Sequence, residues 1–210
     1  MTITIRQNLN KNGLVHIFCF LILFSLLSGC SSVKVSRATE DEPTDLSGAW
    51  NDTDSRLVSE HMINDLLHHG WMNEFRFKHD RNPVITIGKI LNKTTEHIAT
   101  QTFTNDIELA LIRSNRVDLT ASGKARTEVR KEKEDYQTHS QHPAGTRITV
   151  ETQADFILRG EIHSVEDQLK DTKVVTYQID LELLTLENNE KIWISQKKIK
   201  KIIEKPTLGW

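Results

Sequence analysis

The middle of the sequence carries a nearly continuous apolar and β-branched run, Val84-Ile85-Thr86-Ile87-Gly88-Lys89-Ile90-Leu91. Turn-forming residues bound it on both sides, since Asn82-Pro83 precedes it and Asn92-Lys93-Thr94-Thr95 follows it. β-Branched residues favour strands, and a run without strict alternation is typical of a strand covered on both faces. The run therefore predicts a central, buried strand around which the rest of the domain is arranged.

Segments with helical periodicity lie on both sides of this strand. The first begins at an N-cap within residues 51–54 and runs to about His69, because Gly70 is a natural stop. Two further helices are predicted over residues 102–114 and over the densely charged residues 123–137. These segments indicate a sheet that is covered by helices.

The C-terminal third changes to the alternating period of strands. Residues 156–162 form one apolar run, and residues 175–183 alternate apolar with polar side chains. Residues 187–190 are typical of a hairpin turn, and the strand that returns from it places Trp193 inward. Its lysine-rich second half is typical of an edge strand that is protected against pairing with other chains.

Together these segments predict the element order α-β-α-β-α-β-β-β, with a short second strand at residues 117–119. The predicted fold class is α+β (α/β mixed), with a small mixed β-sheet and flanking helices.

The N-terminus carries an apolar run, residues 14–27, which follows two basic residues and ends at Leu27-Ser28-Gly29-Cys30. A basic region, a short apolar region and small residues before the cleavage point are typical of a secretory signal peptide. The run is shorter than the roughly 20 apolar residues that a membrane span needs. Leu-Ser-Gly-Cys is similar to a bacterial lipobox, whose Cys receives a diacylglyceryl group and becomes the first residue. We predict that residues 1–29 are a lipoprotein signal peptide and that Cys30 is the lipidation site; the alternative is a plain signal with an incidental Cys.

This processing limits the chemistry of the exported chain. Cys19 leaves with the signal and Cys30 carries the lipid, so no thiol remains for a disulfide, a nucleophile or a metal site. Removing Arg6 and Lys11 from the 27 basic residues leaves 25 against 29 acidic residues, a net charge of −4. Such a charge gives no indication of nucleic-acid binding. Ser31 follows the Cys where an Asp would signal inner-membrane retention, which predicts an outer-membrane anchor that faces the periplasm.

The remaining chain divides into three parts by composition. Residues 30–45 are polar and without hydrophobic periodicity, which predicts a lipidated N-terminus and a flexible tether. A globular domain is predicted over residues 46–205, and residues 206–210 form a C-terminal tail. A flexible coil as long as the tether averages roughly 20 Å from end to end, so the domain is expected to stay near its membrane.

Two sequence patterns raise the possibility of chemistry. His61, Asp65 and His68 have a spacing that places them on one helical face, but side chains on a solvated face are far more common than metal sites. Ser-x-x-Lys occurs twice, at residues 31–34 and 195–198, without the Ser-Asp-Asn or Lys-Thr-Gly that accompany it in penicillin-binding enzymes. We predict no catalytic residue, no metal site, no cofactor and no small-molecule substrate.

Several blocks of the sequence resemble the LpoB-type lipoproteins, which are outer-membrane activators of bifunctional penicillin-binding proteins. The blocks occur in the family's order over about residues 46–201. They are Leu46-Ser47-Gly48-Ala49-Trp50-Asn51-Asp52-Thr53-Asp54, Pro83-Val84-Ile85-Thr86-Ile87-Gly88 with Asn92-Lys93-Thr94, Ala154-Asp155-Phe156-Ile157-Leu158-Arg159-Gly160-Glu161-Ile162, and Tyr177-Gln178-Ile179-Asp180-Leu181-Glu182-Leu183 with Lys191-Ile192-Trp193.

The resemblance implies a domain similar to the N-terminal domain of TolB and a triacyl anchor at Cys30. It also implies that the chain switches on the glycan polymerisation and cross-linking of a peptidoglycan synthase, a bifunctional penicillin-binding protein. The best-known members carry a long, Pro-rich tether, whereas the tether here is short and has a single Pro. Two other readings stay open: a non-catalytic envelope scaffold, and an accessory lipoprotein of secretion or assembly of the CsgG-like class.

The contact surface for a partner is predicted in two loops, because exposed loops carry function more often than sheet faces do. The candidate partner-binding residues are Asn92, Lys93, Thr94, Thr95 and His97 in the first loop, and His139, Gln141 and His142 in the second.

Overall fold

A computed structural model describes residues 35–39, 42–121, 123–139 and 151–204, with the side chains of residues 137–139 excepted. The chain divides into two compact units, residues 1–40 and residues 41–210. Within the described part of the second unit there are four helices and five strands. They are α1 (Asp52–His68), α2 (Gly70–His79), β1 (Val84–Asn92), α3 (Thr100–Ser114), β2 (Asp118–Thr120), α4 (Gly123–His139), β3 (Phe156–Leu169), β4 (Thr172–Thr185) and β5 (Lys191–Glu204). None of the described helices is long and apolar enough to cross a membrane.

The strands form one mixed sheet in the order β2-β1-β3-β4-β5. β1 runs parallel to both of its neighbours, and β3, β4 and β5 form an antiparallel meander. The predicted α+β class with a mixed sheet and flanking helices is confirmed, and likeness to the TolB domain stays a prediction. The first four residues of β1 are buried, as its apolar run predicts. The lysine-rich β5 is an edge strand, which also agrees with its sequence.

The predicted element order was wrong in one place, because a second helix, α2, follows α1. His69 adopts an extended backbone that interrupts the helix, and Gly70 begins the next one. Trp71 and Met72 are buried, so α2 adds to the core where no helix was predicted. Phe77, in contrast, is 93% exposed. The first helix ends just before Gly70, as predicted, but Gly70 also begins a second helix. Whether a helix restarts there depends on the packing of the residues that follow.

The core lies between one face of the sheet and helices α1 and α3. The predicted N-cap of α1 is confirmed at Asn51, whose side chain accepts from the Asp54 backbone while Asp54 accepts from the Asn51 backbone. α3 begins at Thr100, two residues before the predicted start, and has no side-chain cap. The largest fully buried side chains include Tyr177, Phe103, Met62, Leu158 and Ile162.

Gly160, in β3, allows two strands to approach closely. A Cβ placed there would collide with the main-chain oxygen of Asp180 and with the side chain of Leu181. The backbone of β4 therefore lies directly beside this position. Only glycine is small enough for this position.

We expect Gly160→Ala to lower the free energy of unfolding by about 1–3 kcal/mol, because the methyl group overpacks a tightly paired region. Chemical unfolding followed by circular dichroism measures the change. The matched control is Gly70→Ala, since a Cβ at Gly70 meets nothing within 4 Å and alanine favours a helix. Equal stability of the two variants would contradict the assigned close approach.

Candidate partner-binding site

The first contact loop is predicted over residues 92–101. In the structure the connection is shorter: the loop of residues 93–99 leaves the end of β1 and leads into α3. Its side chains alternate between two environments. Those of Lys93, Thr95 and His97 are exposed, whereas those of Thr94 and Glu96 are half-buried. The loop therefore presents every second side chain to solvent and uses the others to attach itself to the domain.

Asn92 and Thr94 hold the shape of this loop. Asn92 Oδ1 accepts hydrogen bonds from the Thr94 backbone N–H at 2.9 Å and from the Thr94 hydroxyl at 2.7 Å. Asn92 Nδ2 donates to the carbonyl oxygen of Glu96 at 2.8 Å, and the Glu96 N–H donates to Thr94 Oγ1 at 3.1 Å. These two predicted contact residues therefore support the loop, because their polar atoms are used within it.

Glu96 joins the loop to the aromatic part of the core. Its Oε1 accepts a hydrogen bond from the Tyr177 hydroxyl at 2.6 Å, and its Oε2 accepts one from the backbone N–H of Trp50 at 3.3 Å. Burial, together with the hydrogen bond to Glu96, raises the pKa of Tyr177 far above its ordinary value. The Trp50 ring meets Tyr177 and Phe103 edge to face, with centroids 5.6 and 6.0 Å apart. One carboxylate thus fixes the loop, the entry to α1 and the centre of the core together.

The chain that enters α1 is held against β5 by Lys201. Its Nζ lies 2.6 Å from Asp54 Oδ2 and 2.7 Å from Asp45 Oδ1. It also donates to the carbonyl oxygen of Ala49 at 3.0 Å. Burial alone would lower the pKa of Lys201, but the hydrogen bonds to Asp45 and Asp54 outweigh that effect and raise it. Lys201 thus fixes residues 45–49, which lie directly before Trp50. Trp50 in turn donates to Glu96, so this anchoring also supports the loop of residues 93–99.

The exposed side of the loop carries Lys93, Thr95 and His97. The Lys93 backbone N–H donates to Ile162 O at 2.8 Å, which extends the β1–β3 pairing into the loop. Thr95 Oγ1 donates to Glu166 Oε1 at 3.2 Å, and Lys173 forms an ion pair with Glu166 at 2.8 Å. The hydrogen bond from Lys173 lowers the pKa of Glu166. The surface that these side chains present to solvent is thus small and polar.

The remaining predicted site residues are not tested by the structure. His139 is the last residue of α4, and nothing is described of its side chain. Gln141, His142 and Cys30, the predicted lipidation site, lie outside the described residues.

The polar face of α1 does not bring together the side chains that the metal hypothesis requires. Asp65 accepts a hydrogen bond from Trp193 Nε1 at 3.0 Å, and His68 Nδ1 lies 2.7 Å from the carbonyl oxygen of Asn64. Among the residues that the structure describes, no group of three or more His, Cys, Asp or Glu side chains is arranged to hold a metal ion.

The second Ser-x-x-Lys motif lies within β5. Side chains three positions apart on a strand point to opposite faces, so the hydroxyl of Ser195 and the ammonium of Lys198 do not face each other. The catalytic pairing that the motif has in penicillin-binding enzymes is therefore not formed here.

Glu96 is the residue that sequence reasoning missed. It stands in a polar stretch among other hydrophilic residues, so no periodicity or motif distinguishes it. Its partners, Tyr177 and Trp50, are 81 and 46 positions away along the chain. Only the tertiary fold brings them together.

Comparison with known proteins found several solved structures that are similar to this chain. The C-terminal domain of LpoB from Escherichia coli is similar at 14% identity and a TM-score of 0.41, with 70% of this chain and 99% of that chain covered. The NMR structure of E. coli LpoB gives 11% identity, a TM-score of 0.40 and 85% of both chains. A PelC dodecamer from Paraburkholderia phytofirmans gives 14% identity, a TM-score of 0.33, and 57% of this chain and 73% of that chain. The search among curated proteins returned no match.

The sequence itself decides the family. A family model described as the peptidoglycan-synthase activator LpoB matches residues 54–199. The match runs from the first turn of α1 into β5 and includes every described strand in whole or in part. The description names a regulatory role and not a catalytic one. The chain belongs to the LpoB family of peptidoglycan-synthase activators.

Proposed function

We propose that this protein is a lipid-anchored component of the outer membrane that binds a bifunctional penicillin-binding protein and increases its synthesis of peptidoglycan. The observation that carries the proposal is the family match over residues 54–199. The rigid, exposed loop of residues 93–99 supports it, because a preformed surface loses little conformational entropy on binding. The protein performs no chemistry itself in this proposal.

Activation by binding requires a difference in affinity. A protein that binds the active conformation of an enzyme more tightly than the inactive one shifts the population toward activity, and the shift is limited by that difference. The exposed side chains of Lys93, Thr95 and His97 are proposed to make the discriminating contacts. Asn92, Thr94 and Glu96 are proposed to hold them in place.

The proposal is tested with the full-length protein in detergent and with purified bifunctional synthases of the same cell. Glycan polymerisation and cross-linking are followed with and without the protein, and binding is measured in parallel. Faster polymerisation with at least one synthase supports activation. Binding without a change in rate favours the scaffold function, and the absence of both binding and activation contradicts the proposal.

We expect Lys93→Glu to raise the protein concentration required for half-maximal activation by about tenfold. A residue at the centre of an interface contributes on the order of 1 kcal/mol or more to binding. The side chain is exposed, so the melting temperature should not change. Lys78→Glu on α2 makes the same change of charge at an exposed position outside the loop and serves as the control. An unchanged activation curve for Lys93→Glu would place the contact surface elsewhere.

We expect Cys30→Ala to prevent lipid attachment, so that the protein no longer fractionates with the outer membrane. The physical reason is that the anchor is the covalent lipid, in which each buried methylene contributes about 0.8 kcal/mol to membrane binding. Cell fractionation and the intact mass of the purified protein report the result, and Ser31→Ala is the matched control. Retention of the Cys30→Ala variant in the outer membrane would contradict the assigned anchor.

A further inference from the structure

One edge of the sheet is left open where β2 ends. β2 pairs only with residues 84–86 of β1, whereas β1 continues to Asn92 and pairs with β3 on its other side. Within the described ranges, no backbone hydrogen bond from a strand or loop reaches the open side of residues 87–91. An unpaired row of N–H and C=O groups of this kind is a template for an added strand.

This open edge lies at the bottom of a cleft and not on a flat surface. The cleft has a volume of about 1320 Å³ and is lined by β1, by residues of α3 and α4, and by residues 151–154, Ile157 and Leu186. α3 packs against β1 on the face that Ile85 and Ile87 share. α4 approaches the other face, where Arg126 Nη2 donates to Thr86 Oγ1 at 3.3 Å. An extended segment placed along β1 would therefore be contacted from both sides as well as along its backbone.

A β-bulge shapes the edge within the cleft. The pairing of β1 with β3 shifts register between Ile87 and Ile90, so that Gly88 and Lys89 together oppose a single residue of β3. A Cβ at Gly88 would lie 3.0 Å from the Cδ1 atom of Ile157, so the Ile157 side chain packs over the glycine. Lys89 is exposed next to the unpaired backbone. Bulges of this kind redirect a side chain at a strand edge.

The lining of the cleft is basic in balance. Its cationic side chains belong to Lys89, Lys124, Arg126 and Arg130, and its anionic ones to Glu108 and Glu151. Arg130 and Glu151 pair with each other at 2.8 and 2.9 Å, which leaves three cations against one carboxylate. Lys89 and Lys124 form no ion pair with any residue that the structure describes. An acidic segment is the ligand that this charge favours.

We propose that this β1-edge cleft binds an extended, acidic segment of a partner protein by strand addition to residues 87–91. The backbone of the segment pairs with β1, and its carboxylates meet Lys89, Lys124 and Arg126. Recognition of this type obtains affinity from main-chain hydrogen bonds and selectivity from the side chains beside them. The inference does not depend on which protein supplies the segment or on synthase activation.

The test uses the full-length protein in detergent and three fluorescent eight-residue peptides. The first alternates Glu with Val. The second has the same sequence with N-methyl groups on alternate backbone nitrogens, and the third replaces Glu with Lys. We expect binding of the first peptide, at least tenfold weaker binding of the other two, and new hydrogen-exchange protection within residues 87–91. Equal binding of the N-methylated peptide, protection over β5 instead of β1, or no binding of the first peptide would each overturn the proposal.

Two variants connect the binding to the cleft. Lys89→Glu combined with Lys124→Glu should weaken binding of the acidic peptide by about tenfold, because two exposed charges are reversed. Lys197→Glu combined with Lys198→Glu makes the same change on β5 and should leave binding unchanged. Circular dichroism confirms that both double variants are folded. Equal loss of binding in the two double variants would indicate a non-specific charge effect and overturn the assignment to the cleft.

Discussion

Trp193→Ala is expected to lower the free energy of unfolding by about 3–5 kcal/mol, the range for truncating a large aromatic side chain in a core. Trp193 is 3% exposed and belongs to the core between β5 and α1. Its indole Nε1 donates to Asp65 Oδ2 at 3.0 Å, so the substitution removes both apolar burial and a hydrogen bond to α1. The cavity that remains adds to the loss, because the surrounding strand and helix can collapse only in part.

The adjacent residue supplies the matched control for this prediction. Ile194 lies on the opposite face of β5 and is 63% exposed. Ile194→Ala should change the stability by less than about 1 kcal/mol, as most exposed substitutions do. Urea unfolding followed by circular dichroism compares the two variants, and similar losses would mean that the assigned faces of β5 are wrong. Trp193→Phe separates the contributions, since phenylalanine keeps most of the apolar contact but cannot donate to Asp65.

Lys201→Met is expected to cost about 3 kcal/mol, because it leaves the buried carboxylate of Asp54 without its cation. The Lys201 and Asp54 side chains are 10% and 7% exposed. Methionine keeps most of the apolar stem, so the loss reports the charge and its hydrogen bonds more than packing. The substitution also releases Asp45 and Ala49, and with them the segment that leads to Trp50.

The neighbouring Lys200 provides the control, since it is exposed and forms no ion pair with a described residue. Lys200→Met should leave the stability within about 0.5 kcal/mol of the parent protein. A loss for Lys200→Met as large as that for Lys201→Met would show that the net charge of β5, and not the buried pair, is responsible.

The stability contributed by this cluster should depend on pH at both ends of the scale. The hydrogen bond from Lys201 lowers the pKa of Asp45 below its ordinary 3.8, so its contribution is present above pH 3.8 and disappears as the pH falls through the lowered pKa. The pKa of Lys201 is raised above 10.5, so its contribution is present below that pH and disappears as the pH rises through the raised pKa. Urea unfolding from acidic to alkaline pH should show that the stability lost by Lys201→Met, relative to the parent protein, becomes smaller at both extremes of pH. A deficit that is constant with pH would contradict an electrostatic origin.

Local sequence determined most of the secondary structure and the family of this protein. The apolar run of β1, the alternation of β4 and the lysines of β5 each specify a strand and its exposure, because burial and side-chain period act on neighbouring residues. The N-cap at Asn51 is likewise a local interaction. The order of family blocks along the chain was sufficient to identify an LpoB-type protein, a conclusion that the family model confirms.

Tertiary structure alone decided the features that depend on distant partners. α2 forms because Trp71 and Met72 find a place in the core, which the sequence around Gly70 does not indicate. Glu96 supports the loop of residues 93–99 only through its hydrogen bonds with Tyr177 and Trp50. The open edge of β1 exists because β2 stops after three residues, and its cleft because two helices from different parts of the chain flank it. Such features arise from contacts between residues far apart in sequence. No local periodicity encodes which distant side chain completes a hydrogen bond, or where a neighbouring strand stops and leaves an edge uncovered.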